Sequence, residues 1–158
     1  NLDWITRPVF GIALAIVAIA ATFYAASFAL LLAVLSVAAA REWHRLVEKN
    51  GAAREAWITY ISVVVALLLL VLRAQSPAPW ILLGVATFLV FVSASMRGAR
   101  AIWHAAGVAY IGAPALTLLS LRSLAPHGAS VIIGLFLVVW ATDTVALISG
   151  NLIGGPRF

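Results

Sequence analysis

Within the segment VVWATDTVAL, residues 138–147, the carboxylate of Asp143 stands among residues that otherwise suit hydrocarbon. A charged side chain near the centre of a membrane-spanning helix costs ~2.5–3.5 kcal/mol on insertion scales, so a neighbouring helix, water or an ion must satisfy it. Thr142, Thr144 and Ser149 make this stretch small and polar, and Ala146 and Gly150 follow one and two turns later on the same face. Two readings follow. Asp143 is either a packing residue hydrogen-bonded to an adjacent helix, with Ala146 and Gly150 allowing close approach, or a cavity-lining carboxylate that binds a cation or proton. Under both, the face bearing Asp143, Ala146 and Gly150 is special. Gly150→Leu is therefore expected to impair folding or function, and replacement of Ile132 on the same helix to do little.

The remaining titratable residues read as less specific. Asp3, Glu42, Glu48 and Glu55 fall in or beside polar loops, where water or an arginine satisfies them. Arg41, Glu42, His44 and Arg45 suit the solvated end of a helix whose long side chains reach the interface. His104 reads as an interfacial or helix-packing histidine, and His127, between Pro126 and Gly128, as a turn residue. The glycines of GNLIGGP could cradle phosphate, but the segment lacks GxxxxGK[ST] and follows an apolar helix rather than a strand. The sequence has no cysteine, so any metal would be held by oxygen or histidine.

The elements that must position Asp143 are long apolar helices. The chain has 158 residues, of which 65% are hydrophobic and only 9% charged, far from the roughly 25% charged residues of soluble domains. No charge interrupts the run from Pro8 to Ala40, which is too long for one span of roughly 20 residues and suits two with a turn near Phe23 and Tyr24. Polar or proline-rich breaks at REWHRLVEKNGAARE, QSPAP, MRGAR and SLAPHG divide the rest. The expected fold is an all-α integral membrane protein of six transmembrane helices, at about 8–22, 26–44, 56–73, 80–95, 102–121 and 129–150. Gly107, Gly112 and Pro114 predict a kink or a close helix contact near Tyr110.

Six helices put Arg7, Arg41, Arg45, Lys49, Arg54, Arg97, Arg100 and Arg157 on one side and only Arg73 and Arg122 on the other, accounting for all ten basic residues. The positive-inside rule then makes both termini cytoplasmic. Trp4, Trp57, Trp80 and Trp103 fall at predicted helix ends, as interfacial anchors do. The net charge of +5 is scattered between apolar runs, which speaks for orientation in a lipid bilayer and against nucleic acid as a partner.

Three segments carry a resemblance. VVWATDTVALISGNLIGGPRF is similar to the W-x-x-D-[ST]-[GA]-A-[YF]-x-x-G-[RK]-x-x-G span of the phosphatidate cytidylyltransferase (CDP-diacylglycerol synthase) family, through Trp140, Asp143, Thr144, Ala146, Gly150 and Gly154. AAREWHRL and AYIGAPALTLLSLR resemble further family segments, so the likeness runs along nearly the whole chain. Val145, Leu147 and Asn151 depart from the pattern. The resemblance implies a bacterial inner (plasma) membrane enzyme, a homodimer, that joins CTP to phosphatidic acid with magnesium to give CDP-diacylglycerol and pyrophosphate. It also implies that Asp143 is catalytic and holds the metal, that Thr144, Gly150 and Gly154 contact the bound group, and that residues 1–158 form the N-terminal and central part of a longer enzyme. The alternative that the residues leave open is a transporter or channel segment with an intramembrane cation- or proton-binding aspartate.

Overall fold

The computed structural model of the chain describes residues 3–48 and 53–153. They form six helices and, among the described residues, no strand: α1 Asp3–Ala21, α2 Ala25–Val47, α3 Ala53–Leu72, α4 Ala78–Met96, α5 Ala101–Arg122 and α6 Gly128–Ile153. Five are long and apolar enough to cross a membrane, and α1 contributes a shorter apolar stretch, Gly11–Ala21. Most helix ends lie a few residues beyond the limits read from hydrophobicity, as where α2 runs on from His44 to Val47, whereas α1 and α3 each stop one residue short.

Local chemistry sets the ends. Pro77 and Pro79 flank the first residue of α4, where a missing N–H leaves no intrahelical bond unmade. After α4, Gly98 adopts φ 67°, and the bonds from Gly98 N to Ser95 O and Ala99 N to Ala94 O close the turn. At the opposite end of the bundle, Arg122 of α5 donates to the carbonyls of Thr22 and Phe23, tying down the turn between α1 and α2.

α2, α3, α4 and α5 form the central bundle, with α1 packed on α2 and α6 on α5. The buried stripe of α2 repeats every fourth residue, Phe28, Leu32, Ser36, Ala40 and His44, and meets Val63, Leu67 and Leu70 of α3, Leu83 and Val90 of α4, and Val108, Leu116 and Leu119 of α5. Large apolar residues such as Leu30, Val34, Ile61 and Phe88 point outward. That outward-apolar surface suits lipid, and small residues such as Ala40, Ala66, Ala86, Ala94 and Gly107 are buried at the seams among the larger ones. Trp57, Trp80 and Trp103 lie in the first turns of α3, α4 and α5 with their rings exposed.

α5 stays helical through Pro114, and its glycines make the close contacts expected of them. A Cβ on Gly107 would run into the indole of Trp43, and one on Gly112 into the side chain of Leu83. Trp43 cannot simply swing aside, because its Nε1 donates to the Trp103 carbonyl at 2.8 Å and its ring packs on Tyr110 at 5.4 Å. Gly107→Ala is expected to lower stability by about 1–3 kcal/mol through overpacking. Gly84→Ala, where a Cβ meets nothing within 4 Å, should be neutral or stabilising by roughly 0.5–1 kcal/mol. Thermal unfolding of both variants in detergent checks the contrast, and equal losses would refute it.

One expectation is corrected. Ile132 lies on the side of α6 that faces α5, fully buried in the core cluster, so its replacement is costly rather than neutral. Periodicity along an almost uniformly apolar helix gave no sign of which face meets a neighbour.

The arginine distribution predicts the orientation. Since the chain has no native cysteine, Arg45→Cys should react with a membrane-impermeant thiol reagent only from the cytoplasmic side and His127→Cys only from outside. Both native side chains are exposed, and reversed labelling would overturn the orientation.

Candidate functional site

α6 carries Asp143 on its second half. Of the helix's described residues only Gly128 and Ile132 are buried, and from Ala141 to Ile148 every residue is exposed. Among the described residues Asp143 makes no hydrogen bond or ion pair, and the space beside Gly150 is open to at least 4 Å. Among the described residues, neither a packing partner nor a cavity wall surrounds the aspartate. Thr142 donates to the Val138 and Val139 carbonyls, Thr144 to Trp140 O at 2.7 Å, and Ser149 to Val145 O at 2.7 Å. Their hydroxyl protons are thus held by the helix. Gly154 lies outside the described residues.

Magnesium takes one or two carboxylates together with water and phosphate oxygens. Asp143 fits as one such ligand, since its oxygens are uncommitted and its neighbours small. Among the described residues no group of three or more His, Asp or Glu side chains could enclose a metal, so any ion at Asp143 would complete its shell with phosphates, water or further protein.

The densest polar chemistry lies elsewhere, at the arginine-rich end of the central bundle. His44 of α2 and His104 of α5 are both buried, stacked with ring centroids 5.1 Å apart and Nδ1 atoms 2.8 Å apart. His44 Nε2 meets Thr59 Oγ1 of α3 at 2.8 Å, and that hydroxyl lies 2.8 Å from the Glu55 carbonyl. The fully buried Glu55 carboxylate accepts from Ser93 Oγ at 2.8 Å and from Arg97 Nε and a terminal nitrogen at 3.1 and 3.0 Å. Arg97 also reaches Glu48 Oε2 at 3.1 Å, and His104 Nε2 stands 3.3 Å from the same oxygen. The bonds to Glu55, then those to Glu48, hold the Arg97 guanidinium above its usual range.

Sequence reasoning missed this cluster. His44 does not snorkel with its exposed neighbours Arg41, Glu42 and Arg45, and Glu55 is buried, with an arginine, Arg97, rather than water as its partner. His104 is the helix-packing histidine expected, and His127 sits exposed in the turn before α6. A signal existed: continuing the four-residue repeat of α2 from Ala40 lands on His44, while the buried positions of α3 begin at Glu55 and Thr59 and those of α5 at His104.

Six packed helices with lipid-suited exteriors, an intramembrane carboxylate and a buried charge cluster at one end define a multi-pass membrane protein. A model described as the Cytidylyltransferase family matches residues 5–158, and the chain belongs to that family. It is 39% identical over 103 residues to proteins named phosphatidate cytidylyltransferase from Brucella abortus biovar 1 (strain 9-941) and Brucella suis biovar 1 (strain 1330). The matched stretch covers 65% of this chain and 35% of each relative, so the chain spans about a third of the length of the curated relatives it matches. No solved structure matches it.

Proposed function

We propose that the chain is the membrane-embedded N-terminal and central part of a phosphatidate cytidylyltransferase of a bacterial inner (plasma) membrane, working as a homodimer. The match of the family model from residue 5 to residue 158 carries this reading. The relatives' names supply the substrates: CTP and phosphatidic acid. A phosphate oxygen of the lipid attacks the α-phosphorus of CTP, the bond from that phosphorus to the bridging oxygen breaks, and pyrophosphate leaves. Such transfers need positioning and charge neutralisation more than covalent help from the protein. Asp143 is the catalytic carboxylate in this reading, with Thr144, Gly150 and Gly154 lining the approach of the phosphates. Magnesium, when bound, supplies the positive charge that draws phosphate oxygens together. Asp143 would hold it, and the open face beside Gly150 leaves room for the substrates.

Membership of this family disfavours the transport alternative. The test is incorporation of radiolabelled CTP into lipid by the full-length protein supplied with phosphatidic acid. Formation of CDP-diacylglycerol supports the reading. Cation or proton flux in proteoliposomes without any CTP-dependent product would replace it with transport.

A further inference from the structure

We infer that His44 and His104 share one proton between their Nδ1 atoms and carry a single positive charge between them, making the cluster at the arginine-rich end an electrically neutral, proton-dependent clasp of α2 to α5. The inference follows from hydrogen-bond roles. The Thr59 hydroxyl has one proton, and its 2.8 Å contact with the Glu55 carbonyl is a bond only if the proton points there. His44 Nε2 must then be the donor in its contact with Thr59. At the other end, His104 Nε2 faces a Glu48 oxygen that already accepts from Arg97, so this nitrogen also carries a proton. Between the rings, two Nδ1 atoms 2.8 Å apart form a bond when one donates and the other accepts. Three protons therefore occupy four ring nitrogens, whichever ring holds the middle one.

The charges then balance. The histidine pair and Arg97 are positive, Glu48 and Glu55 negative, and Thr59 and Ser93 complete the bonds without charge. A buried cluster is tolerated at low dielectric when its charges pair and its polar atoms are bonded, and among the described residues no buried side-chain polar atom lacks a partner. His104 is faced by His44 of α2 and by Glu48, which caps α2, and, through them, by Thr59 and Glu55 of α3 and by Ser93 and Arg97 at the end of α4. α6, packed on the same helix, gives it no hydrogen bond or ion pair among the described residues. Removing the shared proton leaves one net negative charge and two Nδ1 lone pairs in contact. α2 and α5 then lose their only hydrogen bond between buried side chains among the described residues at this end, and the clasp opens as pH rises.

Two measurements test this on the full chain in nanodiscs. With ¹⁵N-histidine, NMR at about pH 6.5 should show three protonated nitrogens in the buried pair and one strongly deshielded bridging proton, with exposed His127 as the reference. Two or four protonated nitrogens would overturn the shared charge. For the clasp, spin labels at Leu46→Cys and Ile102→Cys, both exposed and at the facing ends of α2 and α5, should give a narrow distance distribution that broadens as pH rises. Glu48→Gln, which keeps the shape but removes a counter-charge, should move that transition to lower pH, and His104→Gln should abolish it. An invariant wild-type distribution, or a transition that survives in His104→Gln, overturns the clasp.

Discussion

On the proposed function, Asp143→Asn in the full-length protein is expected to fold and insert normally while losing about 10²-fold or more of the magnesium-dependent CDP-diacylglycerol formation proposed for it. The figure corresponds to about 3 kcal/mol of charge stabilisation at roughly 1.4 kcal/mol per tenfold. Asparagine preserves size and one acceptor oxygen but removes the negative charge that would hold a metal. The exposure of Asp143 sharpens this expectation. Among the described residues no neighbouring helix bonds to its oxygens, so the change removes no hydrogen bond there and stability should hold. The measurement is radiolabelled CTP incorporation by purified variant and wild type over a magnesium titration, with thermal unfolding alongside. Turnover equal to wild type would end the catalytic reading of this residue. A loss of turnover accompanied by a lower unfolding temperature would instead assign Asp143 to packing.

Arg97→Leu is the second change with a large expected effect, and it acts on stability. Glu55 has a side chain with no exposed surface, and Arg97 supplies two of the three side-chain bonds to its carboxylate. Removing the guanidinium leaves a buried charge held by Ser93 alone, which should cost about 3–5 kcal/mol. The double variant Arg97→Leu with Glu55→Leu removes both charges and should recover a substantial part of that loss, because two apolar residues at a buried seam leave nothing unpaired. Chemical denaturation in mixed micelles reads both. A double variant as unstable as the sum of the singles would show that the pair contributes through packing rather than charge.

Much of the architecture was legible in the sequence for a simple reason. Lipid demands long uninterrupted apolar segments, and each break in them is written in charge, proline or glycine. The turn at residues 22–24, the proline entry to α4 and the glycine contacts of α5 all followed from local residue types. So did the placement of Asp143 inside a span, since a single carboxylate among apolar neighbours needs no tertiary information to stand out. Family membership was legible through the spacing of Trp140, Asp143, Gly150 and Gly154.

Tertiary structure alone decided which face of each helix meets another. In a soluble bundle the apolar stripe points inward, but here every face is apolar, and lipid accepts Leu30 or Phe88 as readily as the core accepts Leu32 or Val90. Ile132 was misjudged for that reason. His44, Glu55, Arg97 and His104 were read as separate residues near helix ends because nothing local links positions as far apart as 60 residues along the chain. Packing α2 through α5 brings them, with Glu48, within hydrogen-bonding distance, and the requirement that buried charges be paired turns five unremarkable interfacial residues into one neutral cluster.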